Sequence, residues 1–277
     1  NFVFEPKGRN TAPCIANMAA KISYYHSDND ILVVCPSDHL IKNPVQFRKI
    51  ISAGIKACKK KDQVVTIGIE PSSPHTGYGY IKIGELIETY DGIKIYESKG
   101  FKEKPSINKA KDFLKNKDHL WNAGIFIVRA GYINNAVKEY MPELHRGIKK
   151  ISKSFGTKKE KEIFNREFPK LPSISIDHGL IEQLPSSITI PAKIGWDDLG
   201  AWNSLENIIG DKDAIKIRSK GNIIKKQDKK KIITLLDINN VIVVDTPDAL
   251  LIANKNSGQN IKELVDLLKQ KGLEEYI

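Results

Sequence analysis

Up to about residue 130, short apolar runs alternate with helical stretches, and no other feature of this chain limits its fold so strongly. Phe2–Phe4, Ile31–Cys35 and Val64–Ile69 read as strands, with helices over Ala12–Tyr25 and Pro44–Lys60 between them. Uninterrupted apolar strands joined through helices are buried on both faces. The pattern therefore predicts right-handed βαβ crossovers and an α/β, Rossmann-like, mostly parallel mixed sheet. The second helix is well delimited. Asn43 can cap it, Pro44 suits its first turn, and Val45, Ile51, Ile55 and Cys58 recur near helical period.

Strands are expected next at Tyr80–Ile83, Ile93–Ser98 and Ala123–Arg129, with a helix over Asn108–Leu114 and a run of helices to about residue 168. After Asp211 the character changes. Short strands at Asn222–Ile224, Lys231–Leu235, Val241–Asp245 and Ala249–Asn254 follow one another through turns, without helices between them. Residues 1–210 are thus expected to form the principal domain. Residues 211–277 are expected as a small β-rich unit closed by a terminal helix with Ile261, Leu264, Val265 and Leu268 on one face. No internal repeat is expected.

Composition narrows the function classes. Of the 277 residues 40% are hydrophobic, yet no apolar run approaches the roughly 20 residues a bilayer span needs. Nothing at the start reads as a signal peptide, and no membrane partner is expected. Cys14, Cys35 and Cys58 form no CxxC and read as reduced core thiols of a cytoplasmic protein. The formal charge of +11 is mostly lysine, partly gathered in Lys225–Lys231. That run has no interleaved aromatics or arginines, so it reads as a solvated hairpin tip and not as a nucleic-acid stripe. A moderate positive field suits a protein that handles phosphorylated small molecules.

Four loops carry the residues of chemical interest. Each falls at a strand end, where open α/β sheets bind ligands. In Glu5–Pro13 an acid, an amide and a flexible glycine open a helix; this is either a purine-edge reader or a plain turn capped by Thr11. Asp38, at the mouth of the apolar run Ile31–Cys35, either caps the helix at Pro44 or faces a ligand. Phe101-Lys102-Glu103-Lys104-Pro105 with the later Asn122 could hold an anionic sugar, or be a charged surface turn. In Trp196-Asp197-Asp198-Leu199-Gly200-Ala201-Trp202, paired acids sit between tryptophans. A hard divalent cation often takes only one or two carboxylates beside substrate phosphates, a need that Asp38 and one of this pair would meet.

Taken in order, "EPKGRNTAPCIA", "PSDH", "TGYGYI", "FKEKP", "WNAGIFI", "IDHGLIE" and "GWDDLGAW" resemble the successive motifs of mannose-1-phosphate guanylyltransferases, within the sugar-1-phosphate nucleotidyltransferases. "VIVVDTPDALLIANK" is similar to that family's C-terminal unit. The resemblance implies an enzyme that converts GTP and mannose 1-phosphate to GDP-mannose and pyrophosphate with Mg²⁺. It implies that Glu5, Arg9, Asn10, Thr11 and Pro13 lie around guanine, and that Asp38 and Asp198 hold the metal. The position of Asp197 is usually a small polar residue in the family. Tyr78 and Gly79 would line the mannose pocket, Glu103 and Asn122 would bind sugar hydroxyls, Asp177 would approach the sugar, and Lys104 would meet its phosphate. Assembly is left open, with a homodimer as the state considered. Alternatives are a non-catalytic nucleotide-sugar sensor on the same fold, or a transferase for another base or sugar.

The family pattern opens with a strand and a Gly-rich loop ending in Thr-Arg, whose amides cradle the triphosphate. This sequence starts at the family's third strand. The expectation is a piece or an incomplete record of a longer enzyme, the alternative a natural remnant that folds with a partner and does no catalysis. These residues alone would leave open sheet edges where the absent strands would pair.

Overall fold

The computed structural model describes residues 2–199 and 214–276, and these divide into two compact units. The first holds residues up to Ser37 and Ile41–Trp196; the second holds Asp38–Leu40 and the described residues from Asp197 onward. The expected boundary at 210/211, together with Gly200, Ala201 and Trp202 of the last motif, lies outside the described residues.

The first unit has strands β1 (Ile31–Val34), β2 (Leu40–Ile41), β3 (Val65–Ile69), β4 (Tyr80–Tyr90), β5 (Ile93–Lys102), β6 (His119–Arg129), β7 (Ser187–Ala192) and β8 (Trp196–Asp197), of which β2 and β8 straddle the division between units. Its helices are α1 (Thr11–Tyr25), α2 (Pro44–Lys61), α3 (Ile107–Asn116), α4 (Ala130–Tyr140), α5 (Pro142–Ser152), α6 (Glu160–Glu167) and the single turn α7 (Ile176–Gly179). Helix α2 begins as the sequence requires. The Asn43 side chain accepts from the Gln46 amide at 3.0 Å, a cap of the kind worth about 1 kcal/mol, and Pro44 occupies the first turn. Asp38 is therefore not that helix's cap.

Six strands form one sheet in the order β1-β6-β3-β7-β5-β4. It is a mixed α/β sheet, as expected, but its parallel ladder is confined to β3–β7 among the described pairings; the others are antiparallel. The cause is β6, which runs antiparallel to both β1 and β3 and separates two strands that point the same way. β1, β3 and β7 consequently share one direction. Asp38 follows the first of them, Tyr78 and Gly79 follow the second, and Asp197 and Asp198 follow the third.

Both faces of the sheet are apolar because β6 alternates its side chains between two cores. Ile125 and Ile127 pack with Ile50, Ala53 and Ala57 of α2, along with Ile67 and Ile190. Phe126 and Val128 pack on the other side with Ala16 of α1, Ile133 of α4 and Leu144 of α5. Truncating such a residue, for example Ile127→Ala, costs about 2–5 kcal/mol.

Several expectations need correction. Phe2–Phe4 forms no strand. The two phenylalanine rings stack on each other at 5.9 Å and stay exposed, since strand geometry needs a neighbour to pair with. β4 and β5 run past their expected ends, through register shifts between Lys82 and Glu88 that break strict alternation. Asn122 lies inside β6 and not ahead of it. Only Cys58 is a core thiol; Cys14 and Cys35 are exposed.

The second unit contains β9 (Ala214–Ile217), β10 (Ile223–Lys226), β11 (Ile233–Leu236), β12 (Val241–Asp245), β13 (Leu250–Asn254) and the terminal helix α8 (Ile261–Gln270). β9 pairs in parallel with β11, and β10 in parallel with β12. Partners in both ladders lie 19 positions apart, Ala214 with Ile233 and Ile223 with Ile242. These are two stacked coils of one repeat, contrary to the expectation of none. The repeat lies in backbone geometry. Arg218 and Asp237 both have positive φ and pair with each other, and Gly221 and Asn240 share a left-handed corner. Buried Asn222 ties the coils together, donating to the Ile238 carbonyl and accepting from the Val241 amide, each at 3.0 Å. The Lys225–Lys231 run is thus a coil corner and not a hairpin tip. Lys226 donates to the Lys229 and Lys231 carbonyls, and Lys231 pairs with the buried Asp245 carboxylate at 2.6 Å.

Candidate active site

In the first unit Gly79, Glu103, Asn122 and Asp177 come together. The Asn122 amide nitrogen donates to Asp177 Oδ1 at 2.7 Å, while its oxygen accepts from the Gly124 amide at 3.0 Å. Both ends of the carboxamide are fixed, and so is its orientation. The Asn122 backbone donates to the Gly79 carbonyl at 2.8 Å. Gly79 has no room for a side chain, because a Cβ there would stand 2.5 Å from Glu103 Oε2 and 2.9 Å from Phe101 Cζ.

Two acids face each other here. Burial above all, then the neighbouring Asp177 charge, pushes the Glu103 carboxyl up from 4.5 to about 7, against the pull of Lys104. Burial also raises Asp177, opposed by the Asn122 hydrogen bond and the Lys104 charge. Lys104 stands 3.8 Å from Glu103 Oε1 on a left-handed backbone, largely in solvent. A half-buried acid pair rimmed by one ammonium suits a ligand with several hydroxyls and an anionic end. Tyr78 is fixed beside it by stacking on His75 at 3.9 Å and by the edges of Trp121 and Trp196.

The loop before α1 adjoins the short helix that carries Asp177. The Thr11 hydroxyl accepts from the Ile176 amide at 2.8 Å, and the Ala12 amide donates to the Ile174 carbonyl at 3.1 Å. Asn10, at φ 62°, caps α1 by accepting from the Thr11 amide, so the cap belongs to Asn10 and not to Thr11. Pro13 is buried in the first turn of α1. The Glu5 carboxylate accepts from the Cys14 thiol, whose pKa is pushed up to about 12, by desolvation first and by this bond second. Arg9 carries an unmet need. Its Nε is buried and has no hydrogen-bond partner among the described residues.

The acids proposed for the metal lie in the second unit. Burial lowers the His39 pKa, against the charges of Asp38, Asp198 and Asp197, so all three carboxylates lie within electrostatic reach of one imidazole. β2 and β8, which adjoin these residues, pair with each other. Asp197 closes a local turn by accepting from the Leu199 amide at 3.0 Å. Among the described residues no three ligating side chains converge into a cage. The carboxylates of Asp38 and Asp198 are hard oxygen donors of the kind Mg²⁺ takes while keeping most of its shell for water and phosphate, and they are not a structural zinc set.

Glu182 escaped the sequence reading. Burial pushes its pKa up, but hydrogen bonds from Lys102 and His178 hold it below the usual range, and its charge adds to the rise at Glu103. Its position five residues beyond Asp177 was the available signal.

Comparison with known proteins gives the class. The nucleotidyl transferase family model matches residues 1–213, and the chain belongs to that family. A second model, the MannoseP isomerase/GMP-like beta-helix domain, matches residues 212–268, where the stacked coils lie. Among curated relatives, a mannose-1-phosphate guanylyltransferase of Salmonella typhimurium is 35% identical over all of this chain and 58% of its own length. The xanthan biosynthesis protein XanB of Xanthomonas campestris is 31% identical over 99% of this chain and 58% of its own. The chain thus spans just under three fifths of these relatives. Among solved structures, one from Thermus thermophilus, described as a mannose-1-phosphate geranyltransferase, superposes with a TM-score of 0.80 at 23% identity, over 96% of this chain and 77% of its own. It shares the fold.

Proposed function

We propose that this chain belongs to an enzyme that transfers GMP from GTP to mannose 1-phosphate, giving GDP-mannose and pyrophosphate. The observation that carries the reading is the convergence of Glu103, Asn122 and Asp177 on Gly79 with Lys104 at the rim, in a chain whose curated relatives include mannose-1-phosphate guanylyltransferases. The fixed Asn122 amide and the two acids receive sugar hydroxyls, Gly79 and Tyr78 shape the wall, and Lys104 meets the sugar phosphate. Glu5, Arg9, Asn10, Thr11 and Pro13 surround guanine, and the buried Arg9 Nε, without a partner among the described residues, supports a ligand there.

In the reaction a phosphate oxygen of mannose 1-phosphate attacks the α-phosphorus of GTP in line, and the bond to the leaving pyrophosphate breaks. No covalent enzyme intermediate and no proton abstraction are needed. Positioning and charge neutralisation therefore supply most of the acceleration. Asp38 and Asp198 would hold Mg²⁺, which when bound supplies positive charge to the phosphates.

The test is pyrophosphate release by the full-length gene product with each of the four NTPs against several hexose 1-phosphates. GTP with mannose 1-phosphate is expected to give the highest kcat/KM. A higher value for another pair reassigns the substrate. Nucleotide-sugar binding without turnover for any pair refutes the enzyme reading in favour of a sensor.

A further inference from the structure

A cavity in the first unit lies outside everything assigned to the substrates. It has a volume of about 690 Å³, and none of Glu5, Tyr78, Gly79, Glu103, Asn122 or Asp177 lines it. That volume is typical of small-molecule sites. Ile83, Ile93, Tyr96, Phe113 and Leu120 make its walls apolar. Its lining includes a stacked ring pair, in which His119 lies over Phe113 with centroids 4.0 Å apart and is held by a 2.6 Å hydrogen bond between Nδ1 and Asp118.

The charged groups at this cavity are Lys94, Lys117, Lys193 and Glu70. Glu70 pairs with Lys193 at 3.7 Å, whereas Lys94 and Lys117 enter no ion pair among the described residues. Lys94 and Lys117, without an ion pair among the described residues, beside an apolar chamber walled in part by aromatic rings define a complement: a planar ring for the chamber that carries an anionic substituent for the lysines.

We infer that this cavity is a binding site for a small aromatic phosphate, separate from the substrate site. It also shares three strands with that site. β6 brings His119 and Leu120 to the cavity and Asn122 to the acid pair two residues later. β4 brings Ile83 to the cavity just beyond Gly79, and β5 runs from Ile93 at the cavity to Lys102, next to Glu103. Filling the cavity therefore bears on the strands that position the sugar-binding groups.

The test uses 1-naphthyl phosphate as probe, followed by amide chemical shifts in the full-length protein. Saturable binding is expected, with shifts at Ile83, Leu120 and Asn122. 1-Naphthol and inorganic phosphate should each bind at least tenfold more weakly. The double variants Lys94→Glu/Lys117→Glu and Lys94→Gln/Lys117→Gln should weaken the probe at least tenfold with unchanged far-ultraviolet circular dichroism; the neutral pair gives a reading even if the acidic pair unfolds. Leu114→Trp, which fills the cavity, should abolish binding. Absence of saturable binding, equal affinity for naphthol, or full affinity in the neutral double variant overturns the assignment.

Discussion

Replacing Glu103 with glutamine should change how stability depends on pH, in a direction the structure dictates. The carboxyl is raised from 4.5 to about 7, chiefly by burial, so the folded protein holds this proton where the unfolded chain has released it. The stabilising preference for the protonated form is fully present below about pH 4.5 and is lost as pH rises through about 7. At about 1.4 kcal/mol per pH unit the loss has an upper bound of roughly 3 kcal/mol by pH 8, and solvent screening of this half-buried carboxyl reduces it to about 1–2 kcal/mol. Glu103→Gln stays neutral throughout. Its unfolding free energy in urea should therefore gain on the wild type steadily from pH 4.5 to 7 and then level off. Carboxyl ¹³C shifts in glutamate-labelled protein provide a direct check, through one resonance with a midpoint near 7 that is missing from the variant. Asp177→Asn should lower that midpoint by removing a neighbouring charge, without returning it to 4.5, since burial remains. Parallel stability curves for wild type and variant between pH 5 and 8 would refute the reasoning.

The metal assignment predicts that Asp38→Asn and Asp198→Asn each lower kcat by about 100-fold or more while retaining the native circular dichroism. Each should also lower the His39 pKa further, read by imidazole NMR titration, because a carboxylate that opposes burial has been removed. Gly79→Ala drives a methyl into the Glu103 carboxylate and the Phe101 ring, and should raise KM for the sugar phosphate about tenfold with a smaller change in kcat. Asn222→Ala strands the Ile238 carbonyl and the Val241 amide between coils, and should cost about 1–3 kcal/mol in urea unfolding of the C-terminal unit.

What could be read in the sequence was what is local. The Asn43-Pro44 start of α2 rests on one side chain and one ring, and both act where they stand. The insertion of β6 between β1 and β3 could not be read, since an apolar run looks the same whichever way it points and direction is settled by distant partners. The stacked coils were hidden for a related reason. Arg218 and Asp237, or Gly221 and Asn240, are alike only in φ, and identity comparison does not see that. In the candidate site, Asp38 at the end of an apolar run and the acid pair between tryptophans stood out from the residues themselves, whereas the choice of Asp198 over Asp197 came from resemblance, across 160 positions of chain. Asn122 and Asp177 also lie far apart in the chain, and spacing carried no hint of their 2.7 Å hydrogen bond. Glu182 was passed over because its charge acts at Glu103 across the fold and not along the chain.

β6 makes unusual demands on any lineage that carries this fold. One strand supplies Asn122 near its start and the inner layer of both cores a few residues later. Substitutions that let a descendant tolerate heat by refilling Ile125–Val128 shift the same rod on which the amide is mounted. If the proposed function holds, adaptation to temperature and adaptation to a new sugar are drawn from a shared set of positions, and progress in one narrows the steps open to the other.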